Sequence, residues 1–189
     1  MKAVGYSKAG PVSGERALED IDIPAAVPKG RDIRVAVRAV SVNPVDTKIR
    51  RGVSPPAGEH RILGWDAAGV VESVGPEARL FKPGDEVFYA GAIDRPGSNS
   101  ELHVVDERIV GRKPRSLGFA ESAALPLTAI TAWEAIFDRL KVSDPTPAGA
   151  KTILVIGGAG GGGSLAIQIL RQLTGLTIIA SPSRPETQD

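Results

Sequence analysis

Thr152-Ile153-Leu154-Val155-Ile156-Gly157-Gly158-Ala159-Gly160-Gly161-Gly162-Gly163-Ser164 is the stretch on which the fold of this 189-residue chain turns. An apolar run of five ends in a block of glycines, and Gly158, Gly160 and Gly163 within it satisfy a G-x-G-x-x-G spacing. That spacing is common by chance, so its surroundings decide its meaning. After it, Leu165, Ala166, Ile169, Leu170 and Leu173 recur at helical intervals, Gly175 is placed to cap the helix, and residues 176–180 resume an apolar run. The order is strand, glycine turn, helix, strand, with the first strand expected to be buried on both faces. Glycines in such a turn bend the backbone sharply, admit a diphosphate where a Cβ would stand, and aim helix N-terminal amides at it. A flexible linker is the competing reading, but linkers are not held between two buried strands by an amphipathic helix.

Upstream the texture is different. As far as about residue 112 the chain shows short β-rich runs at 33–42, 69–74 and 86–89, separated by Gly and Pro. Val35, Val37 and Ala39 alternate with polar or smaller neighbours until Val40 breaks the pattern, which predicts a half-buried strand. From about Phe119 the pattern becomes helical, and residues 127–140 place Ile130, Trp133, Ile136, Phe137 and Leu140 on one stripe. A turn-rich link at 144–149 precedes the first strand of the glycine unit.

Composition narrows the function classes. Lys and Arg number 23 against 22 Asp and Glu, a formal charge of +1 with no basic block, so no nucleic-acid partner is expected. No apolar run approaches membrane-spanning length and no signal-peptide pattern opens the chain, which makes a cytoplasmic protein without a membrane partner the expectation. There is no cysteine, which removes disulfides, thiolate catalysis and sulfur-ligated zinc; two histidines, His60 and His103, do not make a three-ligand zinc site.

Five ordered segments then carry a resemblance: 41–50 (SVNPVDTKIR), 63–71 (LGWDAAGVV), 82–87 (KPGDEV), 125–133 (LPLTAITAW) and the glycine turn. In that order they resemble the medium-chain dehydrogenase/reductase superfamily, in its quinone oxidoreductase-like branch, often labelled zinc-type alcohol dehydrogenase-like. The resemblance implies a GroES-like β-barrel domain over 1–125 and the first β-α-β unit of an incomplete α/β Rossmann domain over 126–189, with the active site in the cleft between domains. It implies an NADPH-dependent reductase that passes hydride to a quinone or enone. In zinc-using relatives a Cys and a His stand where this chain has Asn43 and Trp65, so no metal is expected.

By the same resemblance Asn43 donates to a substrate carbonyl, Asp46 orients that segment or caps a helix, and Thr128 contacts nicotinamide or caps a helix. Trp65 and Lys48 line the substrate pocket, although Trp65 equally suits a core and Lys48, standing where many relatives have Tyr, suits solvent. Gly158, Ala159, Gly160, Gly161, Gly162 and Gly163 hold the diphosphate. Ser183 and Arg184, about 20 residues on, occupy the ribose-reading place, where arginine favours NADP(H) over NAD(H). Residues 91–100 read as a solvated loop near the cleft. A six-stranded dinucleotide fold cannot be completed after Ala180, so the chain is expected to stop short of its relatives, to leave an edge of the 151–156 strand unpaired and to be inactive alone. A homodimer is an expectation by analogy only. The alternatives are a non-catalytic GroES-like interaction module and a zinc alcohol dehydrogenase.

Overall fold

The computed structural model describes residues 1–14, 16–142, 149 and 151–182. They fall into two compact units, Met1–Pro126 and Leu127–Asp189.

In the first unit, β1 (Lys2–Tyr6), β2 (Glu19–Asp22) and β4 (Arg61–Ile62) form one antiparallel sheet in the order β2-β1-β4. A second antiparallel sheet runs β7 (Leu102–Asp106), β3 (Asp32–Ser41), β5 (Asp66–Val74), β6 (Glu86–Ala90) and β8 (Val110–Arg112). Alternation along β3 sends Ile33 and Val35 fully inward, where they pack with Ala67, Val71, Val87, Tyr89 and Val105. The β3–β5 register slips between Val37 and Ala39, and this bulge explains why Val40 leaves the pattern and lies exposed. Beside the sheet, a 3-10 turn (Glu107–Ile109) carries the fully buried Glu107 carboxylate, which accepts from the amides of Arg79 and Leu80 and pairs with Arg31 at 2.7 Å. Burial alone would raise its pKa, yet the donors around it hold it below the usual carboxylate range.

A smaller cluster of Tyr6, Leu63 and Trp65, flanked by Val45 and Ile49, seats helix α1 (Pro44–Gly52). Proline at its first position, Asp46 in its first turn and Arg50 and Arg51 in its last all suit a helix. Arg50 lies over the Tyr6 ring at 4.7 Å and donates to the carbonyls of Lys8, Gly10 and Ala17, fastening the chain after β1 to the helix. The short α2 (Phe119–Ala123) follows β8.

Residues 91–100 depart from the solvated loop expected of them. The amides of Gly97 and Asn99 donate to the carbonyls of Ile62 and Leu63 at 3.1 and 2.9 Å, and that of Ser98 donates to Gly64. Arg95 grips Asp32 through both terminal nitrogens at 2.9 Å. Ile93, Asp94 and Pro96 are exposed, whereas Gly97 and Ser98 are buried.

In the second unit, α3 (Pro126–Trp133) continues as a π-helix over Glu134–Arg139. The wider π turn, marked by the bond from Leu140 N–H to the Ala135 carbonyl, shifts every later residue around the axis. The expected stripe is split: Ile136 is buried, whereas Ile130 and Trp133 before the π turn and Leu140 after it are exposed. Next, β9 (Thr152–Ile156), α4 (Gly161–Leu173) and β10 (Thr177–Ser181) build a parallel β-α-β unit in which Thr152 pairs Thr177 and Ile156 pairs Ser181. Contrary to the expectation of burial on both faces, Leu154 is 58% and Ile156 80% exposed. Among the described residues β9 has one neighbour, β10, so half its backbone edge and much of its apolar surface find no cover. Helix α4 ends not at Gly175 but at Thr174, whose extended backbone N–H and hydroxyl both donate to the Leu170 carbonyl, at 3.0 and 2.7 Å. The 144–149 link lies outside the described residues apart from Gly149. No helix among the described residues is long and apolar enough to cross a membrane.

Candidate functional site

Two sets of candidate residues take shape, one in each unit. In the first, Asn43 stands immediately before α1 with extended backbone, buried to 9% exposure. Its main-chain N–H donates to Asp46 Oδ2 at 2.7 Å, and the other oxygen of Asp46 accepts from Gly64 N–H at 2.9 Å. Asp46 thus spends both carboxylate oxygens on backbone amides and joins the start of α1 to the 63–65 segment. The Asn43 side chain donates through Nδ2 to Asp66 Oδ2 at 2.9 Å, and Asp66 is itself 1% exposed. Its second Nδ2 hydrogen remains for another acceptor.

Trp65 lies in the Tyr6 and Leu63 cluster at 3% exposure, its indole N–H buried without an acceptor among the described residues, so it acts as core for α1. Lys48 points outward on the exposed face of α1. The structure therefore brings Asn43, Asp46 and Trp65 together and leaves Lys48 apart. Two further residues matter here: one was not singled out in the sequence, and the other was weighed there as a zinc ligand and set aside. Asp66 sat inside the quoted 63–71 segment, where a carboxylate next to Trp65 was its only signal. His103 is the other: its Nε2 must donate to the Pro96 carbonyl at 2.9 Å, which leaves Nδ1 to accept from the Tyr89 hydroxyl at 2.9 Å. Burial is the main force lowering its pKa, to about 4.

These residues do not fit a zinc ion. Asn43 offers an amide already donating to a carboxylate, Trp65 an N–H without a lone pair, and His103 has both nitrogens engaged. His60 is exposed, and no group of three or more His, Asp or Glu among the described residues could hold a metal.

In the second unit the glycine turn forms a tight cradle. Gly157 takes φ +74°, in the left-handed region, and its amide and that of Gly158 donate to the Ser181 carbonyl at the end of β10. A Cβ on Gly163 would collide with the Gly157 carbonyl, and one on Gly158 would press into Ala180 and Ile167. Close helix-to-strand packing therefore requires glycine at both places. The first bond inside α4 runs from Ser164 N–H to Gly160 O at 2.8 Å, so the amides of Gly161, Gly162 and Gly163 need an acceptor from outside the helix. An anion of phosphate type fits there, at the positive helix end. Thr128, in the first turn of α3, lies alongside, since a Cβ on Gly161 would stand 3.6 Å from its methyl carbon. Ala159 belongs to the same turn, whereas Ser183 and Arg184 fall outside the described residues.

Comparison with known proteins agrees with this architecture. The alcohol dehydrogenase GroES-like domain matches residues 29–133. A zinc-type alcohol dehydrogenase-like protein of Staphylococcus aureus (strain COL) is 43% identical over 190 residues, covering 100% of this chain and 56% of the relative. The 2-methylene-furan-3-one reductase of Solanum lycopersicum is 37% identical, over 97% of this chain and 47% of its own length. Among solved structures, a Rhizobium etli CFN 42 protein classed as a zinc-dependent alcohol dehydrogenase superposes with TM-score 0.93 at 61% identity, covering 100% of this chain and 55% of that one. The Escherichia coli quinone oxidoreductase in complex with NADPH gives TM-score 0.77 at 26% identity, over 98% and 54% of the two chains. The chain thus spans about half the length of the curated relatives it matches.

Proposed function

The chain belongs to the alcohol dehydrogenase GroES-like domain family, within the medium-chain dehydrogenase/reductase superfamily, and from that premise we propose a zinc-independent, NADPH-dependent reductase acting on a quinone or an enone. The observation that carries the reading is the cradle at Gly157–Gly163, whose unbonded helix amides and obligatory glycines suit a diphosphate. Relatives of known activity are oxidoreductases, among them a furanone reductase and a quinone oxidoreductase solved with NADPH.

In this reading Gly158 to Gly163 hold the diphosphate, Thr128 flanks the nicotinamide end, and Ser183 and Arg184 favour the 2′-phosphate form. Bound NADPH supplies a hydride. The protein's own part is to orient and to stabilise charge. Asn43 offers its second Nδ2 hydrogen to the substrate oxygen as that oxygen becomes anionic, and Asp46 keeps the start of α1 in place while it does so. Zinc is dispensed with because Asn43 and Trp65 cannot ligate it, despite the zinc in the names of two relatives. The test is a fluorescence titration with NADPH and NADH, followed by turnover with a panel of quinones and enones. Tighter NADPH binding and turnover that survives chelation are expected. Tighter NADH binding, or stoichiometric zinc lost together with activity, would overturn the cofactor or the metal part of the proposal. The 189-residue chain alone is expected to turn over slowly, because its parallel sheet leaves β9 half covered.

A further inference from the structure

Asp66 stands buried at the start of β5 and accepts from the Asn43 side chain. A buried carboxylate is costly unless donors surround it, and Asp66 is 1% exposed. Asp66 pairs with Ser41 and Ala90 across the sheet and accepts from the Asn43 amide nitrogen at 2.9 Å. An ionised carboxylate only accepts, so it dictates which end of a terminal amide it meets. An asparagine, serine or apolar residue there would not, and only the capping-box contact with the backbone of Asp46 would remain to set the Asn43 amide's direction.

We propose that Asp66 is a positioning residue: it locks the Asn43 amide with one Nδ2 hydrogen on its own Oδ2 and the other directed away, as the donor available to a substrate carbonyl. The proposal rests on the reading of Asn43 as that donor. Two carboxylates then divide the task, Asp46 fixing the Asn43 backbone and Asp66 fixing the direction of its side chain. With Oδ1 turned outward instead, the amide would present a partial negative charge to an oxygen that is itself becoming anionic.

The test uses the intact chain and the neutral enone 2-cyclohexen-1-one, which finds no thiol to alkylate because the chain has no cysteine. In side-chain amide NMR spectra, the Asn43 proton facing Asp66 should be shifted downfield and slow to exchange, and added enone should move the outward proton alone. In Asp66→Asn the downfield shift should vanish, and the enone should bind about twofold more weakly if both amide orientations become equally populated. An Asn43 proton pair unchanged by Asp66→Asn, or an enone response on the inward proton, overturns the proposal. If Asp66→Asn fails to fold, the wild-type spectrum decides by the inward proton's shift and the enone response. If the inward proton behaves as described and the enone moves neither proton, Asp66 still orients the amide and it is the donor reading of Asn43 that falls.

Discussion

The first unit buries the apolar face of its central strands and the second shows its strands to water, although the second is built from the more apolar run. Along β3 Ile33 and Val35 reach 0% exposure, because β5 and β7 flank the strand and Val74, Ala78, Phe81 and Val110 pack against the same cluster. Along β9 the richer run Ile153-Leu154-Val155-Ile156 has, among the described residues, one partner strand and one packed helix, and Ile156 stays 80% exposed. Apolar character states what a residue tends to do; neighbours decide whether it can.

The largest effects should separate the two units. Ile33→Ala empties a closed core and should cost about 2–5 kcal/mol, whereas Ile156→Ala removes a side chain that is mostly solvated and should stay within about 0.5 kcal/mol. Urea unfolding followed separately in each unit measures both. Comparable losses at the two positions would mean that β9 is covered in solution, for instance by a second copy of the chain.

Acid should act on the first unit through His103. The fold holds this imidazole neutral, with its pKa near 4, while the unfolded chain takes up the proton near 6.5. Protons therefore favour the unfolded state between those values: the full contribution is present above about pH 6.5 and is lost as pH falls toward 4, by about 3 kcal/mol. Asp106, held at about 2 chiefly by its hydrogen bonds from Arg108, loses its contribution only below its ordinary value near 3.8, so the two windows hardly overlap. Chemical denaturation at half-unit pH steps should show a slope between pH 6.5 and 4 that His103→Gln removes; a slope that survives the substitution would assign it elsewhere.

The same contrast shows what a sequence can reveal. Periodicity located β3, β5, β6, α4 and the β-α-β order because each is a local pattern with a strong period. It could not see the bulge between Val37 and Ala39, the π turn after Trp133 or the exposure of Ile156, since these depend on register, on the helix interior and on which strands flank β9. At the candidate site, Asn43 and the glycines were legible as motifs. Asp66 was not singled out, because its meaning comes from an amide 23 residues earlier in the chain, and the tethering of residues 97–99 to 62–64 is equally a long-range matter.

The finest distinction lies inside the glycine block, where identical residues serve different ends. Gly163 sits against the Gly157 carbonyl, and Gly163→Ala should force α4 away from β9 and weaken NADPH binding by about tenfold or more, a loss of about 1.4 kcal/mol. Gly162 is different: a Cβ there would meet nothing within 4 Å, its φ is not in the left-handed region, and it lies in the first turn of α4. Gly162→Ala should therefore stabilise the second unit by about 0.4–1 kcal/mol through the narrower unfolded ensemble, with NADPH affinity changed by less than about threefold. Thermal unfolding paired with a cofactor titration on both variants tests the division. Should Gly162→Ala abolish binding while leaving the unit stable, the open space beside Gly162 would be the place the diphosphate occupies, and the cradle would be defined by contact with the ligand rather than by the packing of helix on strand.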